Sequence, residues 1–320
     1  MKLSDFVGNK IVKEELEQAF LSDTLPHALI IEGEKGTGKR TLAEIIAQYS
    51  VCRSDGQKPC GLCSGCQKAL SHSHPDIMVL DSSTPSNLNV EAIRNLRTSA
   101  FIIPNEAPRK VYILANCDRM NSTAQNAFLK ILEEPPKSVV FILTCITASS
   151  LLLTVRSRSR ILSLLTPDLK EAENAVLKSN PALNPNDVRQ AAHLTDGNIG
   201  RMLELLNSGG TEALRLAEQI AAAVTETREY NLLVLTSKLS GDKALTLAVL
   251  DGLYEIFCDA AKAAVGLEPR SETTALLAQK LTRSRLLKLI DTVTDTKRKL
   301  QQNANMNLLT TELCIALRRK

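Results

Sequence analysis

Four short apolar runs alternate with helical patterns over the first 165 residues, and this alternation restricts the fold more than any other feature of the chain. Ala28-Leu29-Ile30-Ile31, Ile77-Met78-Val79-Leu80, Val111-Tyr112-Ile113-Leu114 and Val139-Val140-Phe141-Ile142-Leu143 have the length and apolar continuity of buried strands. Between them, Val12, Leu16 and Phe20 share one helical face, as do Leu42, Ile45, Ile46 and Tyr49. Ser122 and Gln125 have capping-box spacing, which predicts a third helix starting near Asn121 and stopped by Pro135 and Pro136. Strands joined through helices predict an α/β domain with a parallel sheet covered on both faces.

After about residue 165 the pattern turns helical almost throughout, and eleven of the 12 prolines lie before residue 186. A small helical segment, 166–208, precedes Gly209-Gly210, which break the chain before a longer helical region punctuated by Gly241 and Gly266. With 320 residues there is room for two or three domains. A net charge of +4 permits contact with nucleic acid without demanding it, and 3% aromatics with no Trp disfavour base-stacking platforms. No apolar signal segment or membrane-length apolar run is visible, so a cytoplasmic protein without a membrane partner is expected.

Gly33-Glu34-Lys35-Gly36-Thr37-Gly38-Lys39-Arg40-Thr41 fits a phosphate-binding loop with one part missing. It follows an apolar run and opens a helical one, where backbone N–H groups and the helix N-terminus favour phosphate oxygens. Gly33, Gly36, Gly38, Lys39 and Thr41 are the candidate nucleotide-binding residues of this degenerate loop. Arg40 stands where a Ser or Thr hydroxyl would ligate magnesium, and Thr41 comes one residue late, turned by about 100° around the helix. The same residues also describe a Gly-rich strand-to-helix turn without a ligand.

Cys52, Cys60, Cys63 and Cys66 follow that helix, with Gly56, Pro59, Gly61 and Gly65 supplying the turns between them. Four thiolates at this spacing predict a closed structural zinc site with no open position for water, and leave His72 and His74 unneeded. Cys117, Cys145, Cys258 and Cys314 read as small buried hydrophobes.

In chain order, Phe6-Val7-Gly8-Asn9, His27-Ala28-Leu29, the phosphate loop, the four cysteines, His74-Pro75-Asp76, Lys110-Val111-Tyr112, the run from Asn126 to Leu-Glu-Glu-Pro-Pro at 132–136, and Arg156-Ser157-Arg158-Ser159 resemble the clamp-loader subunits of bacterial DNA polymerase III, in the AAA+ superfamily. The resemblance covers about residues 4–205. It implies an AAA+ P-loop domain at 1–165 with a zinc module at 52–66, a helical lid domain at 166–208 and an all-α collar domain at 209–320.

Motor subunits of that family carry Asp-Glu at the end of the Lys-Val-Tyr strand, where this chain has Ala115 and Asn116, with Asp118 displaced by three residues from Ala115. A sensor Thr corresponds to Cys145, and a sensor Arg to Gly200, with Arg201 one step late. Together with Arg40, these departures resemble the non-hydrolysing type of subunit, for which bound ATP is doubtful. Arg158 occupies the family's arginine-finger position, with Ser159 replacing a Cys. Such an arginine, supplied across a subunit boundary, is worth about 10³–10⁵ in rate. Without the resemblance, Arg156, Arg158 and Arg160 also read as an alternating solvated strand edge.

The resemblance therefore implies a stator in a hetero-oligomer with motor (tau/gamma) subunits and a delta subunit. It would meet the sliding clamp and primer-template DNA through that complex, and polymerase activity would lie in another subunit. Two rival readings are a motor subunit using Thr41 and Asp118, and a zinc-dependent nucleic-acid-binding protein on a vestigial AAA+ scaffold. Arg283, Arg285, Lys288, Lys297, Arg298, Lys299 and Arg318-Arg319-Lys320 read as a solvated basic face interspersed with Asp291 and Asp295.

Overall fold

The structure is a computed structural model that describes residues 2–54, 56, 58–82, 88–207, 210–225, 229–269, 271–302 and 304–318. Ser208-Gly209, at the expected domain boundary, and Arg319-Lys320 of the basic terminus lie outside the described residues. The chain divides into two compact units, Met1–Ala175 with Asn198–Arg201, and Val176–Gly197 with Met202–Lys320.

Among the described residues of the first unit, β1 (Ala28–Glu32), β2 (Ile77–Asp81), β3 (Lys110–Ala115), β4 (Val139–Cys145) and β5 (Arg160–Ser163) form one parallel sheet in the order β2-β3-β4-β1-β5. Alternation along each strand explains the continuous apolar runs. Leu29, Ile31, Val111, Ile113, Val140 and Ile142 face α1 (Lys10–Leu21) and α2 (Lys39–Val51). Ala28, Ile30, Tyr112, Leu114, Phe141 and Leu143 share the opposite core with α4 (Val90–Ala100) and α5 (Ser122–Glu133), where Phe128 meets Phe141 edge-on at 5.3 Å. The short α3 (Ser64–Leu70) packs beside α2, and α6 (Leu153–Arg156) beside α5.

Three expectations change. The Ile77–Leu80 run is an edge strand and not a buried one, because β2 pairs with β3 alone and leaves Met78 and Val79 42% and 44% exposed. Ser122 does not cap α5. Asn121 does, accepting from Ala124 N–H at 2.8 Å, while buried Gln125 donates to the Met120 carbonyl and accepts from Leu152 N–H. Nor do the three arginines alternate along a strand: Arg156 ends α6, Arg158 lies in the following turn, and only Arg160 enters β5.

The second unit is helical in all its described elements. α7 (Leu169–Ser179) and α9 (Ile199–Asn207) each run from the first unit's residues into the second's. α8 (Pro185–Leu194), α10 (Gly210–Ala223), α11 (Glu229–Ser237), α12 (Lys243–Ala263), α13 (Glu272–Lys280), α14 (Arg283–Gln301) and α15 (Met306–Arg318) complete it. Leu253, Phe257, Leu289, Val293 and Leu313 lie at its core. Gly252 lets α12 approach α10 closely, since a Cβ there would sit 3.0 Å from Ala217 Cβ. No helix among the described residues is long and apolar enough to cross a membrane.

Candidate functional site

The phosphate loop lies at the C-terminal end of β1 and opens α2, the end of an open parallel sheet where ligand crevices form. Gly36 and Gly38 hold φ of +92° and +87°, a region closed to most side chains. Lys39 Nζ donates to the carbonyls of Gly33 (2.6 Å) and Glu34 (2.7 Å), so the loop's own backbone takes up its charge. Burial pulls the Lys39 ammonium below its ordinary range, against the pull of Asp118, Cys145 and Glu34. Arg40 points along the helix to Glu44 at 3.1 Å, away from the loop mouth.

A second segment sits on the loop. Asn198, 1% exposed, donates to the Lys35 carbonyl at 2.8 Å, and Gly200 N–H donates to the Gly36 carbonyl at 3.0 Å. Gly200 and Gly36 approach so closely that a Cβ at 200 would lie 2.5 Å from Gly36 Cα. Gly200 therefore stands in backbone contact with the loop, and no side chain fits there. Asn198 belongs to the Gly197-Asn198-Ile199 turn that precedes the sensor position at Gly200, but nothing in that pattern shows its bond to the loop.

The end of β3 carries no carboxylate pair. Ala115 closes β3; Asn116 follows in the left-handed region and donates to Asp81 Oδ1 at 2.8 Å. Half-buried Asp118 accepts the N–H of Ile146 through Oδ1. Glu32, ending β1, accepts from Ser163 Oγ at 2.6 Å and from Ala148 N–H at 2.7 Å. Cys145, buried at the end of β4, is a thiol pushed up to about 12 by burial and by Asp118 and Glu32. Thr41, in the first turn of α2, is half-buried.

Arg158 follows α6. Its Nη1 donates to the Thr154 carbonyl at 3.1 Å and its Nη2 pairs with Glu133 Oε1 at 3.1 Å. The sequence placed Glu133 in the Leu-Glu-Glu-Pro-Pro run without linking it to Arg158, because 25 residues of chain separate the pair and no helical spacing connects them.

Cys52, Cys60, Cys63 and Cys66 converge, with all four sulfurs within 4.8 Å of one another. Cys60 and Cys66 sulfurs lie 3.9 Å apart, as do Cys52 and Cys63. A tetrahedron of four metal–sulfur bonds of about 2.3 Å has edges of about 3.8 Å, so the set fits a metal ion. The N–H groups of Cys60, Cys63 and Cys66 donate to Cys52, Cys60 and Cys63 sulfurs at 3.5, 3.3 and 3.4 Å, favouring thiolates. N–H groups of Cys63 and Leu62 hold the Cys60 thiol down to about 6, while burial pushes Cys66 up to about 12.

His74-Pro75-Asp76 fixes this module to the sheet. Buried Asp76 accepts the N–H groups of Asn105 (2.7 Å), Glu106 (2.7 Å) and Ala107 (2.9 Å), and the Glu106 carboxylate pairs with Lys68 on α3. His74 Nδ1 accepts the Asp76 N–H at 3.0 Å.

Residues 8–168 match the family model described as DNA polymerase III, delta subunit. The chain is 30% identical over 201 residues to the DNA polymerase III subunit delta' of Haemophilus influenzae, covering 63% of this chain and 61% of that protein. It is 31% identical over 196 residues to the delta' subunit of Bacillus subtilis, covering 61% and 58%. It is also similar, at 32% over 210 residues, to the gamma/tau subunit of Mycoplasma pneumoniae, covering 64% of this chain and 30% of that protein. The chain thus spans less than two thirds of the length of each of these relatives. It belongs to the DNA polymerase III delta-subunit family, in the delta-prime group.

Proposed function

We propose that this chain is a non-hydrolysing stator of the DNA polymerase III clamp loader, an AAA+ subunit that presents Arg158 to ATP held by a neighbouring gamma/tau motor subunit. One observation carries the reading: the Asn198 side chain and the Gly200 backbone N–H are bonded onto the phosphate loop while Ala115 and Asn116 fill the positions where hydrolysis needs carboxylates. Lys39 is turned onto loop carbonyls and Asp118 onto Ile146 N–H, so both would have to give up or share these bonds to meet phosphate or magnesium, which counts against a motor role. Without carboxylates at Ala115 and Asn116 the chain's own site lacks the groups that hold magnesium and orient the attacking water, whereas a guanidinium delivered to another subunit's site stabilises the transferring phosphoryl group there.

The remaining assignments follow from this reading. Residues 166–208 act as the lid and 209–320 as the collar that joins the delta and motor subunits. Contact with the sliding clamp and primed DNA comes through the assembled complex, in the cytoplasm. Cys52, Cys60, Cys63 and Cys66 hold structural zinc; four thiolates complete its shell, so the ion supplies folding energy and no catalysis.

Single-turnover ATP hydrolysis tests the absence of intrinsic activity. The isolated chain is expected to show none; turnover abolished by Lys39→Ala would contradict the stator reading.

A further inference from the structure

The proposed finger is held on its own subunit. Arg158 reaches back four residues to the Thr154 carbonyl in the single-turn helix α6, and sideways to Glu133, the last residue of α5. Both contacts have local causes. The final carbonyls of a helix lack intrahelical partners, and a guanidinium close to them supplies donors. A carboxylate at a helix C-terminus lies in an unfavourable dipole field, and here Glu133 is followed by Glu134 and then Pro135-Pro136, which end the helix. A cation between Glu133 and Thr154 eases the field at Glu133 and adds a donor to the Thr154 carbonyl, which also accepts from Ser157 Oγ at 3.1 Å.

The same two contacts use the end of the side chain that phosphate recognition needs. An arginine binds a phosphoryl group best through two parallel N–H donors. In this structure Nη1 faces Thr154 and Nη2 faces Glu133, so both terminal nitrogens are engaged within the subunit. Paired with a carboxylate, the guanidinium also offers little net charge to a site beyond it. The pair is nonetheless weak, because its side chains are 37% and 51% exposed and water screens them. A triphosphate carries more charge than one carboxylate and accepts both donors at once, so it can take the arginine away.

We infer that Glu133 is a positioning residue that parks Arg158 until the nucleotide of the neighbouring subunit competes for the guanidinium. This inference rests on the arginine-finger reading of Arg158. Parking lowers the fraction of time the finger is available, and the apparent rate at the receiving site falls by that fraction. An exposed pair of this kind shifts such a balance by roughly two- to fivefold.

The test is single-turnover ATP hydrolysis by the complete complex on clamp and primed DNA, containing wild type, Glu133→Gln, Arg158→Ala or the double variant. Glu133→Gln is expected to raise the rate at the receiving site by roughly two- to fivefold at low salt. The gain should shrink as salt rises and vanish in the Arg158→Ala background. A merely structural role for Glu133 predicts slower turnover and no salt-dependent gain. Glu133→Gln equal to or slower than wild type, with Arg158→Ala strongly impaired, would overturn the parking role and leave the finger intact. An Arg158→Ala complex as fast as wild type would remove the finger reading and the parking role with it.

Discussion

At the scale of single residues, Asp76 illustrates how a short motif acquires a physical role. Three successive backbone N–H groups, of residues 105–107, converge on its buried carboxylate. Burial pushes the carboxyl upward, but these donors outweigh it and hold the group below its ordinary 3.8. A depressed native value stabilises the fold fully above the unfolded value and ceases to do so as pH falls through the native one. Asp76→Asn turns an amide group toward donors and should cost roughly 2–4 kcal/mol in urea unfolding at neutral pH. The difference between wild type and variant should start to narrow below about 3.8, where the unfolded carboxyl protonates, and be lost as pH falls through the lower native value; a pH-independent gap would refute this account. The sequence marked the His-Pro-Asp motif, yet its acceptor role was invisible because the donors lie about thirty residues further on. The same holds for Glu133 and Arg158, each legible alone and joined only by the packing of α5 against α6.

At the scale of elements, legibility followed burial. β1, β3 and β4 are continuous apolar runs because helices cover both faces, and their positions agree with the sequence to within two residues. β5, Arg-Ile-Leu-Ser, has only two apolar residues and gave no apolar strand run, only an alternation of arginines that reaches it at Arg160; pairing with β1 makes it a strand. The buried expectation for β2 failed because its composition is that of a central strand at an edge position. The capping spacing misled by one residue, since Asn121 competes for the same donors as Ser122. The cysteine module was the clearest element: spacing alone brought four sulfurs to metal-binding distance. Metal analysis of the purified chain should find about one zinc per molecule, lost in Cys63→Ser together with hydrogen-exchange protection over α3, while β3 and β4 stay protected. Full protection of α3 in a metal-free chain would contradict a metal-dependent module.

At the scale of the whole molecule, the resemblance covered about residues 4–205, and the family match over residues 8–168 falls within that stretch. The helical remainder was legible only as helices, because its core residues, such as Phe257 and Leu289, repeat a pattern shared by many bundles. The proposed division of labour places ATP chemistry outside this chain and a single guanidinium within reach of it. Steady-state ATP hydrolysis and clamp loading by a complex reconstituted with gamma/tau and delta subunits, comparing wild type with Arg158→Ala, test that claim most directly. The variant should assemble normally yet lose about 10³-fold or more in turnover at the receiving site, with clamp loading impaired; a complex that assembles and loads clamps at the wild-type rate would contradict it.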